Sequence, residues 1–338
     1  MNGGTQMGLV EELAPGKLAA NQTAPDLKQA ERARADGDLD AALDAYDSVL
    51  SIYPDRPDAL AGRGAVLRAK GQPHEALISL LEALSHAPDH TEARLELALA
   101  LRESGRVDES RTLYGLLLRA PDAPAGAWQG LALLLLSEGH DTAAEACLRR
   151  AISMAPDSVE ARLKLADLLA RRDDLAGAVD LYHDILAITP SCAAAHSGLG
   201  QALIGLGRLG EAEDQLERAL VMDSENPLAH LGRARLNLLE GNFPAAWEDM
   251  EWRWALAGRA RPQPPGESWN GSSDLSGQTI LLWAEQGIGE VIHLLRYVPL
   301  VAQTGAQIVL GLPPILADLA AGLAGVKRVL VSGQPVPA

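Results

Sequence analysis

AAAHSGLGQALIGLGRLGEAEDQLERALVMDSEN, from Ala193 to Asn226, is one period of a 34-residue beat that runs through most of the chain. It reads as two short amphipathic helices around a tight turn at Gly207. Leu199, Leu203, Leu216, Ala219 and Leu220 supply the apolar faces, and Gly200 and Ala212 are small where the two helices must touch. Stepping by 34 from Gly207 returns Gly37, Gly71, Gly105, Gly139, Asp173 and Gly241. A second series is Ala42, Ala76, Ser110, Ala144, Ala178, Ala212 and Ala246; a third is Ala30, Gly64, Ala98, Ala132, Ala166, Gly200 and Ala234. Three small-residue series held in phase over seven periods are the mark of a helical solenoid, in which each unit hides its apolar side only by stacking on the next.

The beat resembles the tetratricopeptide-repeat family, whose helix pairs carry small residues at these spacings. The resemblance includes a large residue in each second helix, here Tyr46, Leu80, Tyr114, Leu148, Tyr182, Leu216 and Met250. It also includes a closing proline, here Pro54, Pro88, Pro156 and Pro190, shifted to Pro121 in the third repeat and replaced by Ser224 in the sixth. Those two junctions are expected to bend differently. The resemblance covers about residues 23–256.

The totals are consistent with this. Of 338 residues, 47% are hydrophobic and only 4% aromatic, which suits thin layers of Ala and Leu. Net charge is −16, and residues 277–338 balance Glu285, Glu290 and Asp318 against Arg296, Lys327 and Arg328, so the excess lies in 1–276. An acidic scaffold repels phosphate backbones, which argues against a nucleic-acid partner. Cys147 and Cys192 are the only cysteines and form no CxxC pattern, so two buried free thiols and no metal site are expected. Met1–Ala24 lacks a basic start followed by an apolar core, and no run approaches the roughly 20 apolar residues that cross a bilayer. The expectation is a cytoplasmic protein without a membrane span or cofactor.

In order, the chain is expected to hold a disordered leader (1–22), a solenoid (23–256), a Pro/Gly/Ser linker (257–276) and a βαβαβ segment (277–338). The polar first helix of repeat one, with Lys28, Gln29, Glu31, Arg32 and Arg34, suits an end cap. First helices line the concave face by the family's geometry, placing Glu92, Leu95, Leu99, Arg102, Gln129, Leu133, Leu136, Leu163, Asp167, Gln201 and Ile204 along a groove. A peptide partner there and simple packing of Leu95, Leu133 and Leu163 under neighbouring helices are both open. Trp128, His196 and His230 occupy equivalent places, as a groove rung or as satisfied packing positions. In repeat seven, Trp247, Trp252 and Trp254 call for a large apolar surface, either a docking seam or an aromatic cap.

Beyond the linker the period changes. Thr279–Ala284, Gln307–Leu310 and Arg328–Val331 read as strands, and Glu290–Thr304 and Pro314–Leu323 as helices. A parallel sheet with right-handed crossovers follows, about half a usual domain, which favours a truncated ancestral protein. Trp283-Ala-Glu-Gln-Gly-Ile-Gly-Glu290-Val-Ile-His293 resembles the start of the glycosyltransferase domain of bacterial repeat-plus-transferase proteins, and the opening of heptosyltransferases. The resemblance implies a substrate loop at Gln286, Gly287, Gly289 and His293, with Glu290 as general base; the plain alternative is that Glu290 complements a helix dipole. The aspartate usual in that family is replaced here by glutamate. A nucleotide sugar would be a partner only if the missing transferase portion were supplied, and this chain alone is expected to be inactive.

The sequence therefore points to a mainly α-helical solenoid of about seven repeats followed by an incomplete Rossmann-like segment. Its leading function is a scaffold that binds a protein or peptide in the concave groove. The alternative is a fragment or subunit of a repeat-containing glycosyltransferase, of the heptosyltransferase or O-linked-GlcNAc-transferase type, whose solenoid selects the acceptor.

Overall fold

The computed structural model describes residues 27–120, 122–256, 266–269, 271, 274–285 and 287–331. The expected leader, Pro121, Gln286 and much of the linker lie outside the described residues. The chain divides into two compact units, 1–257 and 258–338.

The first unit is a stack of helix pairs. They are α1 (27–35) with α2 (Leu39–Ile52), α3 (Pro57–Ala69) with α4 (Pro73–His86), and α5 (Thr91–Glu103) with α6 (Val107–Leu117). Then come α7 (Ala125–Ser137) with α8 (Asp141–Met154), α9 (Val159–Arg171) with α10 (Leu175–Ile188), and α11 (Ala193–Gly205) with α12 (Leu209–Met222). The last pair is α13 (Pro227–Glu240) with α14 (Phe243–Met250), followed by the single turn α15 (Arg253–Leu256). Both small-residue series are buried throughout, including Ser110, whose hydroxyl donates to the Ala98 carbonyl at 2.7 Å.

The turn series has one physical cause. Gly37, Gly71, Gly105, Gly139, Gly207 and Gly241 all take φ between +73° and +81°, the left-handed stop that reverses the chain between paired helices. Asp173 holds the same position at φ +66°, the only non-glycine residue with positive φ among the described residues. Replacing it should relieve steric cost at that site. We expect Asp173→Gly to raise stability by about 0.5–1 kcal/mol, read as an upward shift in thermal midpoint.

The apolar core is not uniform along the stack. Repeats four to seven share one cluster running from Ala132 to Leu236, whereas repeats two and three form another, from Leu60 to Leu101. A small cluster of Ala98, Tyr114, Leu117, Ala127 and Leu134 bridges them. The third junction differs as its displaced proline suggests: α6 has 11 residues, against 14 in α4 and α8. The sixth junction does not, since α12 keeps its full 14 residues without the proline.

The second unit contains three parallel strands, β1 (Thr279–Trp283), β2 (Gln307–Leu312) and β3 (Val326–Val331), ordered β1-β2-β3. Between them lie α16 (Ile288–Leu294), α17 (Val298–Ala302) and α18 (Ala317–Ala320). The expected long helices are corrected here. The chain tightens to a 3₁₀ turn at Leu295–Tyr297 because Pro299 cannot donate to the carbonyl one turn back, and a second 3₁₀ turn at Pro314–Leu316 leaves α18 only four residues. Val291, Leu295, Val298, Leu316 and Ala320 cluster with Ile280, Leu282, Ile308, Leu310 and Leu312, so both crossovers cover the same sheet face.

Candidate functional site

Concavity follows from which helices touch. First helices pack on the first helices of neighbouring repeats, α3 on α5, α5 on α7, α9 on α11 and α11 on α13, as well as on their own partners. Second helices have no comparable pairing. The first helices are therefore the closely spaced inner layer, and the second helices are the outer one.

Charge divides along the same line. On the outer layer, α2 carries Asp40, Asp44 and Asp47 with no cation, α10 carries Asp180 and Asp184, and α12 carries Glu211, Glu213, Asp214 and Glu217 against Arg218. On the inner layer, cations outnumber acids on α1, α3, α9 and α13. The acidity of the protein is an outer-face property, which the total charge does not reveal.

The expected groove residues differ in burial and in partners. Leu95, Leu99 and Leu163 are half-buried and pack against core clusters with one side. Leu133 is half-buried but belongs to none of those clusters. Gln129 is half-exposed; Gln201 donates Nε2 to the Leu228 carbonyl at 3.0 Å. Asp167 is exposed and accepts from the Tyr182 hydroxyl at 2.8 Å, and burial with this carboxylate pushes the Tyr182 phenol well up. Arg102 lies beside Glu103 at 3.5 Å, next to the Arg68 guanidinium that bonds Glu96 at 2.8 Å and Glu103 at 3.0 Å. Glu92 is exposed and pairs with Arg34 at 2.9 Å. Ile204 is a correction: it is 4% exposed and belongs to the large core cluster, because its side of α11 turns toward the paired helix.

Sequence reasoning missed the floor of this face. Tyr46, Tyr114 and Tyr182 each press against a glycine of the next repeat's first helix: Gly62, Gly130 and Gly198. A Cβ on Gly130 would lie 2.3 Å from the Tyr114 hydroxyl oxygen. The signal was present as a 68-residue alternation of Tyr and Leu in the large-residue series, each Tyr followed 16 positions later by Gly.

The histidines are packing positions. His196 Nδ1 meets Gln215 Oε1 at 2.8 Å and its Nε2 meets the Pro190 carbonyl at 3.1 Å. One repeat on, His230 Nδ1 meets Asp249 Oδ1 at 2.7 Å and Nε2 meets the Ser224 carbonyl at 2.9 Å. Arg233 grips both Asp249 oxygens at 2.7 Å. Trp252 stacks on His230 with centroids 4.2 Å apart, and Arg253 lies over Trp254 at 5.0 Å. Two of the three tryptophans thus pack within the terminal repeat, and Trp247 stays exposed. Cys147 is buried, which pushes its thiol up, but Cys192 is only half-buried, correcting the expectation of two buried thiols.

The glycine loop of the second unit assembles less. Glu290 is exposed in the first turn of the seven-residue α16, and Gly287 and Gly289 are exposed as well. His293 Nε2 accepts from Arg296 at 2.8 Å, and among the described residues the ring makes no hydrogen bond to the Glu290 carboxylate. Gln286 lies outside the described residues. Among the described residues no cluster of His, Cys, Asp and Glu could hold a metal ion, and no helix is long and apolar enough to cross a membrane.

Comparison with known proteins fits this geometry. Two family profiles described as Tetratricopeptide repeat match residues 67–134 and 169–236, and residues 27–85 and 130–193. The chain is a tetratricopeptide-repeat protein. Both profiles stop short of the α/β unit. Among curated proteins it is similar to Protein FlbA of Caulobacter vibrioides, 25% identical over 268 residues that make up 78% of this chain and 39% of that protein. It is also similar to anaphase-promoting complex subunit 7 of Homo sapiens, 29% identical over 56% of this chain and 34% of that one. The chain thus spans well under half the length of these relatives. Among solved structures, the APC/C hetero-tetramer Cut9-Hcn1 superposes with a TM-score of 0.56 at 15% identity, covering 65% of this chain and 46% of that one. PilF of Pseudomonas aeruginosa gives 0.53 at 16% identity, covering 64% and 99%. At such identities these two share the fold alone.

Proposed function

We propose that this protein is a binding scaffold whose inner face holds an extended segment of a protein partner. The observation that carries the reading is the row Leu95, Leu99, Gln129, Leu133, Leu163 and Gln201. These aliphatic and amide side chains stand half-buried, side by side on the inner helices of repeats three to six, within a shell whose outer face is acidic. Half-buried leucines supply the water-excluding contacts, and amides fix the register of a bound backbone. Assembly names among the relatives, such as the anaphase-promoting complex subunit, support a partner that is itself a protein.

The test is substitution on the row. Leu133→Ser with Leu99→Ser and Gln201→Ala should weaken recovery of the partner from extracts of the source cell by about tenfold or more. Helicity by circular dichroism should be unchanged. Recovery at the original level with the fold intact would remove the inner face from the reading.

The transferase alternative has one favouring observation, the parallel strand-loop-helix order with Gly287 and Gly289 at the end of β1. Among the described residues Glu290 has no partner fixing its carboxylate in the position a general base needs, so the binding reading is the better supported.

A further inference from the structure

A repeat protein carries its own control, because each surface position is sampled once per repeat. At the outward position of Leu81 the other repeats place Asp47, Gly115, Arg149, His183 and Glu217. At that of Ile78 they place Asp44, Thr112, Ala146, Asp180, Asp214 and Glu248, and at that of Leu116, Ser48, Glu82, Arg150, Asp184, Arg218 and, in the last repeat, Trp252, which stacks on His230. Large aliphatic residues occupy these outer registers only in repeats two and three. There Ile78, Leu81 and Leu116 are 67%, 54% and 49% exposed.

Leu81 lines a groove between α4 and α6, with Ile78 one turn before it on α4 and Leu116 one turn after the groove residue Thr112 on α6. Leu77, Leu97 and Leu101 form its floor, and Leu81, Leu113, Thr112 and Glu109 form its walls around about 290 Å³. At the same registers three repeats on, two of the wall positions are polar: His183 replaces Leu81, and Gln215 replaces Leu113. The helices flanking the aliphatic groove carry Glu75 and Glu82 on α4 and Asp108 and Glu109 on α6 against Arg111, and the Arg106–Glu109 pair lines the groove's edge. Of these four, only Glu109 has an ion-pair partner among the described residues, Arg106 at 2.7 Å.

We propose that this outer groove docks a basic amphipathic helix of a partner protein, aliphatic residues seated over Leu81 and Leu113 and lysine or arginine residues facing the rim carboxylates. Two facing helices with a gap between them receive a third by ridge-into-groove packing, and the acidic rim selects its charge. The inner face remains free, so the two surfaces can be occupied at once.

The probes are a synthetic helical peptide of leucine and lysine and its leucine–glutamate counterpart, titrated against the full chain by fluorescence anisotropy. The leucine–lysine peptide should bind and the acidic one should not. Leu81→Gln with Ile78→Gln, both on solvent, should weaken binding about tenfold, as removal of buried aliphatic contacts does. Asp214→Asn with Glu217→Gln, on an equally acidic outer helix, should leave it within twofold. Equal loss in the two double variants would mean charge attraction alone and would overturn the groove, as would undiminished binding to the Leu81/Ile78 variant. The Leu99/Leu133/Gln201 variant should bind the peptide normally, which separates this proposal from the inner-face reading.

Discussion

Gly130→Ala should cost the solenoid about 1 kcal/mol net, although it adds a single methyl group to a helix and improves helix propensity. The built Cβ would lie 2.3–2.5 Å from the Tyr114 ring and hydroxyl, and Tyr114 is fully buried with no free direction to move. Overpacking a closed site costs about 1–3 kcal/mol, which exceeds the roughly 1 kcal/mol gained on replacing glycine in a helix. A leucine at the large-residue position can leave room for a side chain there: opposite Leu80 and Leu148 the position 16 residues on holds Glu96 and Lys164, although Leu216 again faces a glycine, Gly232. Tyr114→Leu with Gly130→Ala should therefore recover stability relative to the sum of the single changes, with a coupling of about 1–2 kcal/mol in the double-mutant cycle. Each repeat touches only its neighbours, so loss of hydrogen-exchange protection should concentrate in α6 and α7. A cycle that closes additively would show that Tyr114 and Gly130 do not oppose each other.

The same pair shows what the sequence makes legible. Contacts that recur every period announce themselves: the left-handed turn at Gly207 and its equivalents, and the helix contacts at Ala42 or Gly200, can each be read by stepping 34 residues. The tyrosine–glycine match recurs every second period, so a single-period reading sees Tyr46 and Leu80 as interchangeable and passes over Gly62, Gly130 and Gly198. Outside the repeats no such redundancy exists. Apolar spacing from Ile292 to Val301 suggested a continuous helix, and the lost amide of Pro299 divided it. In the groove, Leu133 and Ile204 fall in different registers: Leu133 is one residue past Ala132, whereas Ile204 is one helical turn past Gly200 and so shares the face that meets the paired helix, a difference the period itself carries. The segregation of acid to the outer layer was invisible in the total: a net charge is a sum over faces, and only packing says which face each carboxylate occupies.

Asp249→Ala should loosen the terminal repeat by about 2 kcal/mol. The carboxylate is 5% exposed and meets His230 and both nitrogens of the Arg233 fork, so its removal leaves the buried His230 and the part-exposed Arg233 without their acceptor. Breaking a fully buried pair costs about 3–5 kcal/mol; Arg233 is 42% exposed and partly served by water, which lowers the figure. Asp249→Gln should cost less than half as much, because the preceding repeat uses that arrangement, with Gln215 opposite His196 at 2.8 Å. Acid separates the two variants further. Burial alone would raise the Asp249 carboxyl, but the hydrogen bonds from Arg233 and His230 outweigh it and hold the carboxyl below its usual range. A carboxyl depressed in the folded state contributes its stability in full above its unfolded value, about 3.9, and loses it as pH falls through the lower folded value. Native protein should therefore show a loss of α13–α14 protection beginning below about pH 4 that Asp249→Gln lacks, since an amide does not titrate there. If the two variants lose equal stability, or the native and Asp249→Gln proteins share one acid profile, the terminal knot holds by its aromatic stack of Trp252 on His230 and not by charge.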